Sequence, residues 1–284
     1  MRPGSRCILS VGRFSEAGKV ANRSRRKFLR TFGFALAGLA GLPVLPGASP
    51  SALPAAASGN AAQNTAVPGG HAGGLKAGRW GMVIFTRKIA GVSERHKIIQ
   101  ACHEAHNVPD IPGRHAIKWI RNEGFARSFA VRQAPEELLN RRFLLLCNHC
   151  SNPPCVRVCP TRAGFKREDG LVLVDYGLCI GCRLCMSACP YGALSFNFCD
   201  PAPYLREIVP DFPVRERGVV EKCNFCVERL DAGLQPHCVE ASGEAVIAGD
   251  LSDPESRVSR ALKDNYGIRR NDPHGLEPNV HYIL

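Results

Sequence analysis

The chain has 284 residues, a formal net charge of +12 and 14 cysteines. Nine of its Lys and Arg residues fall in the first 30 positions, residues 31–57 carry no charge, and the remaining 227 hold 28 basic and 24 acidic side chains. The basic excess belongs mostly to the leader, which excludes the basic folded face that nucleic-acid binding would need.

In chain order, residues 24–30 read SRRKFLR, with Arg25-Arg26 followed by Phe28-Leu29, the form of a twin-arginine (Tat) export signal. An apolar run from Thr31 to Leu45 follows, rich in Ala and Gly and broken at Pro43. It is short for a bilayer span of about 20 residues, although an uncleaved leader would still tether the chain. Ala55-Ala56-Ala57 suits a cleavage site, so residues 1–57 read as a Tat signal peptide and the expected compartment is the periplasm. Metal binding and folding are coupled in cluster proteins, and a chain already folded around its metal needs an export route for folded proteins. Residues 58–78 are rich in Ala, Gly, Asn and Ser and read as a flexible linker.

Residues 79–284 read as one cluster-bearing domain. RWGMVIF, from Arg79, has strand character. Cys102 follows, in ACHEAHNVP. The histidines of HEAH stand three apart and lack the His-Glu-x-x-His spacing of zinc peptidases, so His103, Glu104 and His106 are expected beside a metal site or at the surface. CNHCSNPPCVRVCP then supplies Cys147, Cys150, Cys155 and Cys159, and CIGCRLCMSACP supplies Cys179, Cys182, Cys185 and Cys189. Between them, a hairpin is expected around Glu168-Asp169-Gly170, with its second strand at Leu171–Val174. YGALSFNF, after Pro190, reads as a turn and a short strand. A third block has Cys223, Cys226 and Cys238, with Ser242 at the fourth position. GEAVIAGDL after it reads as another turn and strand. Short helices are expected to follow each fourth-cysteine position, and Ser252-Asp253-Pro254 is expected to start a helix running to about Lys263.

A cubane 4Fe–4S cluster takes four thiolates. In the run C-x2-C-x2-C-x3-C-P, three cysteines serve one cluster and the fourth reaches a neighbouring one. If the two full blocks pair in this way, site A takes Cys147, Cys150, Cys155 and Cys189, and site B takes Cys179, Cys182, Cys185 and Cys159. The third block needs a fourth ligand from upstream, where Cys102 is the candidate, giving site C as Cys223, Cys226, Cys238 and Cys102. Counting by ferredoxin spacing around Cys102 finds Ile89, Val92 and Arg95, or Val92, Arg95 and Ile98, where a further cluster would need cysteines. These losses and Ser242 all belong to one missing cluster, so three 4Fe–4S clusters are expected. Structural zinc uses the same Cys-x2-Cys pairs, and an even cysteine count in an exported chain also suits disulfides. Two four-cysteine runs, each ending in Cys-Pro, favour iron–sulfur. Cys7 lies in the leader, and Cys199 reads as an ordinary buried thiol. Arg183, Lys222 and Arg157 adjoin ligand positions and are expected to raise local reduction potentials. There is no Cys-x2-Cys-His, P-loop or G-x-G-x-x-G, and no catalytic residue is assigned. The fold class expected is α+β, tandem two-cluster ferredoxin-like modules with insertions. Residues 143–198 form one module; residues 79–110 and 219–251 form the other.

From Arg79 onward the chain resembles the four-cluster ferredoxin-like iron–sulfur subunits of bacterial membrane-bound oxidoreductases. Within that family, ACHEAHNVP, CNHCSNPPCVRVCPT, FKREDG, CIGCRLCMSACPYGA, RGVVEKCNFCVERL and EPNVHYIL resemble the periplasmic subunit of the membrane complex linked to dissimilatory sulfite reduction. The resemblance implies that the first block pairs with the fourth as the second pairs with the third. It also implies an NrfD-type integral membrane subunit and a multihaem cytochrome c as partners, and exchange with a quinone pool. In the wider family the first-block cluster faces a molybdopterin catalytic subunit, so its loss here implies loss of that contact. The function expected is electron transfer within a membrane-bound complex, without a substrate site. The rival expectations are the wiring subunit of a molybdopterin reductase for thiosulfate or polysulfide, and a zinc-bound assembly or maturation factor.

Overall fold

The computed structural model describes residues 74–129, 133–272 and 274–284. The leader, the export signal and most of the expected linker lie outside these residues. The last linker positions are already part of the folded chain: the Leu75 N–H donates to the Leu230 carbonyl at 2.8 Å, and Leu75 and Ala77 pack against the main core.

In chain order the elements are β1 (Trp80–Phe85), α1 (Val92–Ala105), β2 (Arg121–Gly124), α2 (Phe125–Ser128), α3 (Glu136–Asn140), β3 (Arg142–Leu145) and α4 (Pro154–Arg157). Next come β4 (Gly164–Lys166), β5 (Val172–Val174), α5 (Leu184–Ala188), β6 (Ser195–Phe196), β7 (Val220–Glu221), α6 (Val227–Asp231) and α7 (His237–Ala241). The last are β8 (Val246–Asp250), α8 (Arg257–Asp264), β9 (Gly267–Ile268) and β10 (Val280–Ile283). The architecture is mixed α+β.

The largest sheet has the order β8-β1-β10-β9, with β1 and β10 parallel and the other pairs antiparallel. Side chains alternate along a strand, and both faces of this sheet are covered. Trp80, Met82, Ile84, Val246, Ala248, Val280 and Tyr282 point into the main core. Val83, Ile247 and Ile283 point the other way, onto Val258 of α8. Burying one such side chain contributes about 1.5–3 kcal/mol. β1 therefore reads as a nearly continuous apolar run because it is central.

Three two-stranded ribbons complete the strands: β2-β3, β4-β5 and β6-β7. The β4-β5 hairpin turns where Glu168-Asp169-Gly170 predicts, and strands form in YGALSFNF and GEAVIAGDL. The first and fourth blocks meet through the β1-β8 pairing and the packing of α1 on α7. The β6-β7 ribbon joins the second half of the central pair to the fourth block.

Two expectations are corrected. Short helices precede the fourth-cysteine positions instead of following them. The Cys-x3-Cys interval is itself one helical turn, so α4, α5 and α7 carry the third cysteine and end just before Cys159, Cys189 and Ser242. The last helix begins at Arg257, not at Ser252. Asp250 accepts from the N–H and hydroxyl of Ser252, and Asp253 accepts from the Glu255 N–H, which makes that stretch a turn. Ser256 is the cap, accepting from the Ser259 N–H at 3.2 Å.

Candidate metal centres

The first Cys-x2-Cys turn of each block has a left-handed residue just before its second cysteine: His149 (φ 41°), Gly181 (φ 69°) and Phe225 (φ 65°). Such turns point successive backbone N–H groups into one concavity, which suits an anionic group such as a thiolate-ligated cluster. At Gly181 the conformation is compounded by close approach, since a Cβ would lie 2.1 Å from the Gly218 carbonyl oxygen. The helical turns then bring the third and fourth positions together, with the Cys189 N–H bonded to the Cys185 carbonyl at 3.2 Å.

The thiols gather in three groups. Burial pushes the Cys150 thiol well up, and Cys147, Cys189 and Cys155 push it further. Cys185 is raised to about 11 by burial, then by Cys179, Cys159 and Cys182. Cys102 is raised by burial, then by Cys223, Cys226 and Cys238. The groups also act on one another electrostatically. Burial and the neighbouring Cys147 raise Cys223 to about 12, which sets site C beside site A. Cys155 senses Cys185 as well as its own group, which sets site A beside site B. One cavity is walled by Cys147, Cys150, Cys155 and Cys189, and another by Cys155, Cys159, Cys179, Cys182 and Cys185.

The four thiols of site C are all buried and resist ionisation, so as thiolates they need a cationic metal core. An all-sulfur donor set suits iron–sulfur or zinc. Donors already face some sulfurs. Burial raises Cys159, but the Gly164 N–H at 3.4 Å and the Thr161 hydroxyl outweigh it and hold the thiol below its usual range. The Phe225 N–H lies 3.4 Å from Cys223 Sγ.

The positions around Cys102 where a further cluster would need cysteines have other work. Ile89 and Ile98 are core residues, and Val92 is 73% exposed. Arg95 is buried, and its guanidinium donates to the carbonyls of Ile89, at 3.0 Å, and Ala90. Ser242 accepts from the Val246 N–H at 2.9 Å and donates to the Val239 carbonyl at 2.8 Å, so its hydroxyl ties the end of α7 to the start of β8.

His106 is buried beside Cys102, with Nδ1 3.9 Å from its sulfur and Nε2 2.9 Å from Glu228. His106, Cys226 and Glu228 present ligand atoms within 4.8 Å of one another, but Cys226 belongs to the site C group. His103 Nε2 lies 3.3 Å from the Trp119 N–H, whereas Glu104 is exposed. Cys199 is half-buried against the main core. Of the three cations expected near ligands, Lys222 is buried and donates to the carbonyls of Val172 and, at 2.9 Å, Cys223. Arg183 and Arg157 are exposed, so solvent screens them.

Sequence reasoning missed the Arg215–Glu221 pair, with both side chains 0% exposed and 2.6 Å apart. Glu221 also accepts from the Trp119 and Asn197 side chains, and Arg215 donates to the carbonyls of His106 and Asn107. The network ties the end of the Cys102 helix to the strand that leads into Cys223. At the other end of the series, Cys182 is exposed, with Leu178, Ile180, Leu184 and Phe198 as exposed apolar neighbours in the same block. Among the described residues no helix is long and apolar enough to cross a membrane.

Residues 142–200 match the family model of the 4Fe-4S dicluster domain. The sequence is 41% identical over 196 residues to the Hdr-like menaquinol oxidoreductase iron-sulfur subunit 1 of Archaeoglobus fulgidus, covering 65% of this chain and 71% of the relative. It is 33% identical over 232 residues to the iron-sulfur cluster-binding subunit of the menaquinone reductase of Nitratidesulfovibrio vulgaris, covering 72% and 88%. It is also 33% identical to a subunit of the tetrathionate reductase of Salmonella typhimurium, over 92% of this chain and 88% of the relative.

Proposed function

Because this chain is a member of the family of 4Fe–4S iron–sulfur subunits of oxidoreductase complexes, we propose that it is a three-cluster electron-transfer subunit with no substrate site of its own. The observation that carries this reading is the series of three four-thiol groups in the order C, A, B. Site C takes Cys102, Cys223, Cys226 and Cys238; site A takes Cys147, Cys150, Cys155 and Cys189; site B takes Cys159, Cys179, Cys182 and Cys185. Bound clusters supply one-electron storage and exchange. The protein does the rest: it buries site C, sets the Lys222 ammonium where it acts on both Cys155 and Cys223, and directs N–H groups onto Cys159 and Cys223. These features set potentials through charge, burial and hydrogen bonds to sulfur.

The finer reading extends this. The twin-arginine leader exports the folded protein to the periplasm, where it binds peripherally to an inner-membrane complex of dissimilatory sulfur metabolism, in the manner of the DsrO subunit of a DsrMKJOP complex. Its partners are an NrfD-type membrane subunit and a multihaem cytochrome c. The exposed apolar residues Leu178, Ile180, Leu184 and Phe198 beside site B form the face offered to the membrane subunit. The name of the tetrathionate reductase relative favours a second reading, the wiring subunit of a molybdopterin reductase. A co-purifying molybdopterin subunit separates the two.

The test is a count of iron, acid-labile sulfide and zinc per protein molecule after anaerobic purification. About 12 irons, three cubanes' worth, is the expected result. About 8 removes site C, and zinc with little iron discards the electron-transfer reading.

A further inference from the structure

A hydroxyl follows each Cys-Pro pair: Thr161 after Cys159-Pro160 and Tyr191 after Cys189-Pro190. Thr161 Oγ1 lies 3.8 Å from Cys159 Sγ, so the shorter side chain faces its own ligand sulfur. The longer one reaches further. The Tyr191 ring packs with Cys189 and Cys150, and so spans from one cysteine of site A to another. Burial pushes its hydroxyl up, and the Cys150 thiol is the next cause, ahead of Asp272. That hydroxyl is buried and has no hydrogen-bond partner. Asn148 is in the same condition, 1% exposed and with no partner for either amide atom. Its counterpart in the site C turn, Asn224, is engaged at both ends: Oδ1 accepts the Cys226 N–H at 2.8 Å and Nδ2 donates to Glu228 at 2.8 Å. Tyr191 and Asn148 both line the cavity walled by Cys147, Cys150, Cys155 and Cys189. Among the described residues they are the two side chains lining it that carry a nitrogen or an oxygen, and both are orphaned. The remaining wall is proline, valine, alanine and leucine, which offers their side-chain donors no side-chain acceptor except sulfur. Buried donors are normally paired, so two exceptions facing one cavity need a reason.

We propose that the Tyr191 hydroxyl and the Asn148 amide are hydrogen-bond donors to the sulfurs of site A, and that they raise the reduction potential of the cluster held there. The proposal rests on the iron–sulfur reading of site A given above. Donors directed at ligand or cluster sulfur favour the more negative, reduced state. Cys159 and Cys223 receive such donors from the backbone, at Gly164 and Phe225. At site A the same work falls to side chains from two separate stretches of chain, one in the Cys147–Cys150 turn and one beyond Cys189. A backbone donor is fixed by the fold, whereas each of these can be removed by one substitution.

The experiment is an EPR-monitored redox titration of the full protein and of Tyr191→Phe, with iron and sulfide counted on the same samples. The substitution keeps the ring and deletes only the hydroxyl. One midpoint is expected to fall by at least a threefold change in the reduction equilibrium, about 28 mV for one electron, with the other midpoints and the iron content unchanged. The signal that moves is expected to be the one that Cys150→Ser abolishes or alters. Pulsed EPR after exchange into deuterium oxide is expected to show a deuteron coupled to that signal, weakened in Tyr191→Phe, which a purely structural role for the ring would leave in place. Asn148→Leu is expected to lower the same midpoint, and it carries the test if Tyr191→Phe sheds iron. Unmoved midpoints in either iron-replete variant overturn the proposal and leave the iron–sulfur reading intact, as does movement confined to another signal. Zinc in place of iron in the unsubstituted protein overturns the reading and the proposal together, and that result is known before any variant is made.

Discussion

A single atom decides whether Gly181 is replaceable. A methyl group there meets the Gly218 carbonyl at 2.1 Å and the Phe196 ring at 3.1 Å, at a φ of +69° that disfavours L side chains. Neither obstacle is a flexible side-chain tip alone, so the Cys179–Cys182 turn must open. Gly181→Ala is therefore expected to cost the protein one cluster, about 4 of about 12 irons, and iron analysis with EPR checks that the site B signal is the one lost. Lys222 acts through charge. Its ammonium is buried at the junction of β5 and the Cys223 turn, where solvent does not screen it. Lys222→Met keeps most of the volume, removes the charge, and is expected to lower at least one midpoint in a redox titration; an unchanged titration counts against a tuning role. Exposed Arg183 and Arg157, replaced in the same way, are expected to shift midpoints much less.

Among the elements, the contact between α1 and β7 depends on a buried ion pair rather than on apolar packing. Removing one partner of such a pair costs about 3–5 kcal/mol, because the other charge is left buried and uncompensated. Arg215→Met leaves Glu221 in that state and also frees the carbonyls of His106 and Asn107. Thermal unfolding is expected at a clearly lower temperature, with iron from site C released first; a melting curve that overlays the parent's rejects the clasp. Nothing in the sequence announces this pair. Its members stand six apart in RERGVVEKC, and the carbonyls Arg215 holds are more than 100 positions upstream. The hairpins were legible because period-2 alternation and the Glu168-Asp169-Gly170 turn are local signals. The short helices were misplaced because the Cys-x3-Cys interval was read as ligand spacing alone, although it is also a helical turn. At Ser252-Asp253-Pro254 the side chains of Asp250 and Asp253 hold the backbone as a turn, and the cap passes to Ser256. The orphaned amide of Asn148 is visible only once the turn is folded.

For the whole molecule, the decisive property of the proposed relay is the order of its three sites, because a relay is broken differently at its end and at its middle. Cys223 senses Cys147, and Cys155 senses Cys185, which makes site A the common neighbour. In the proposed series Cys102 belongs to the end site and is supplied by α1, in which it is the one cysteine. Cys102→Ser is expected to abolish or change the form of one EPR signal while the other two remain and still broaden each other through magnetic coupling. Cys150→Ser removes a ligand of the middle site instead. Its two surviving signals, from sites B and C, are expected to sharpen, since dipolar coupling falls steeply with separation. If they stay as broad as in the Cys102→Ser protein, sites B and C are direct neighbours and the linear order is wrong. The same pair of variants separates the roles of the two ends. With site C lost, electrons offered at the exposed face beside Cys182 still reach site A, so its signal appears on partial reduction. With site A lost, reduction from that face stops at site B.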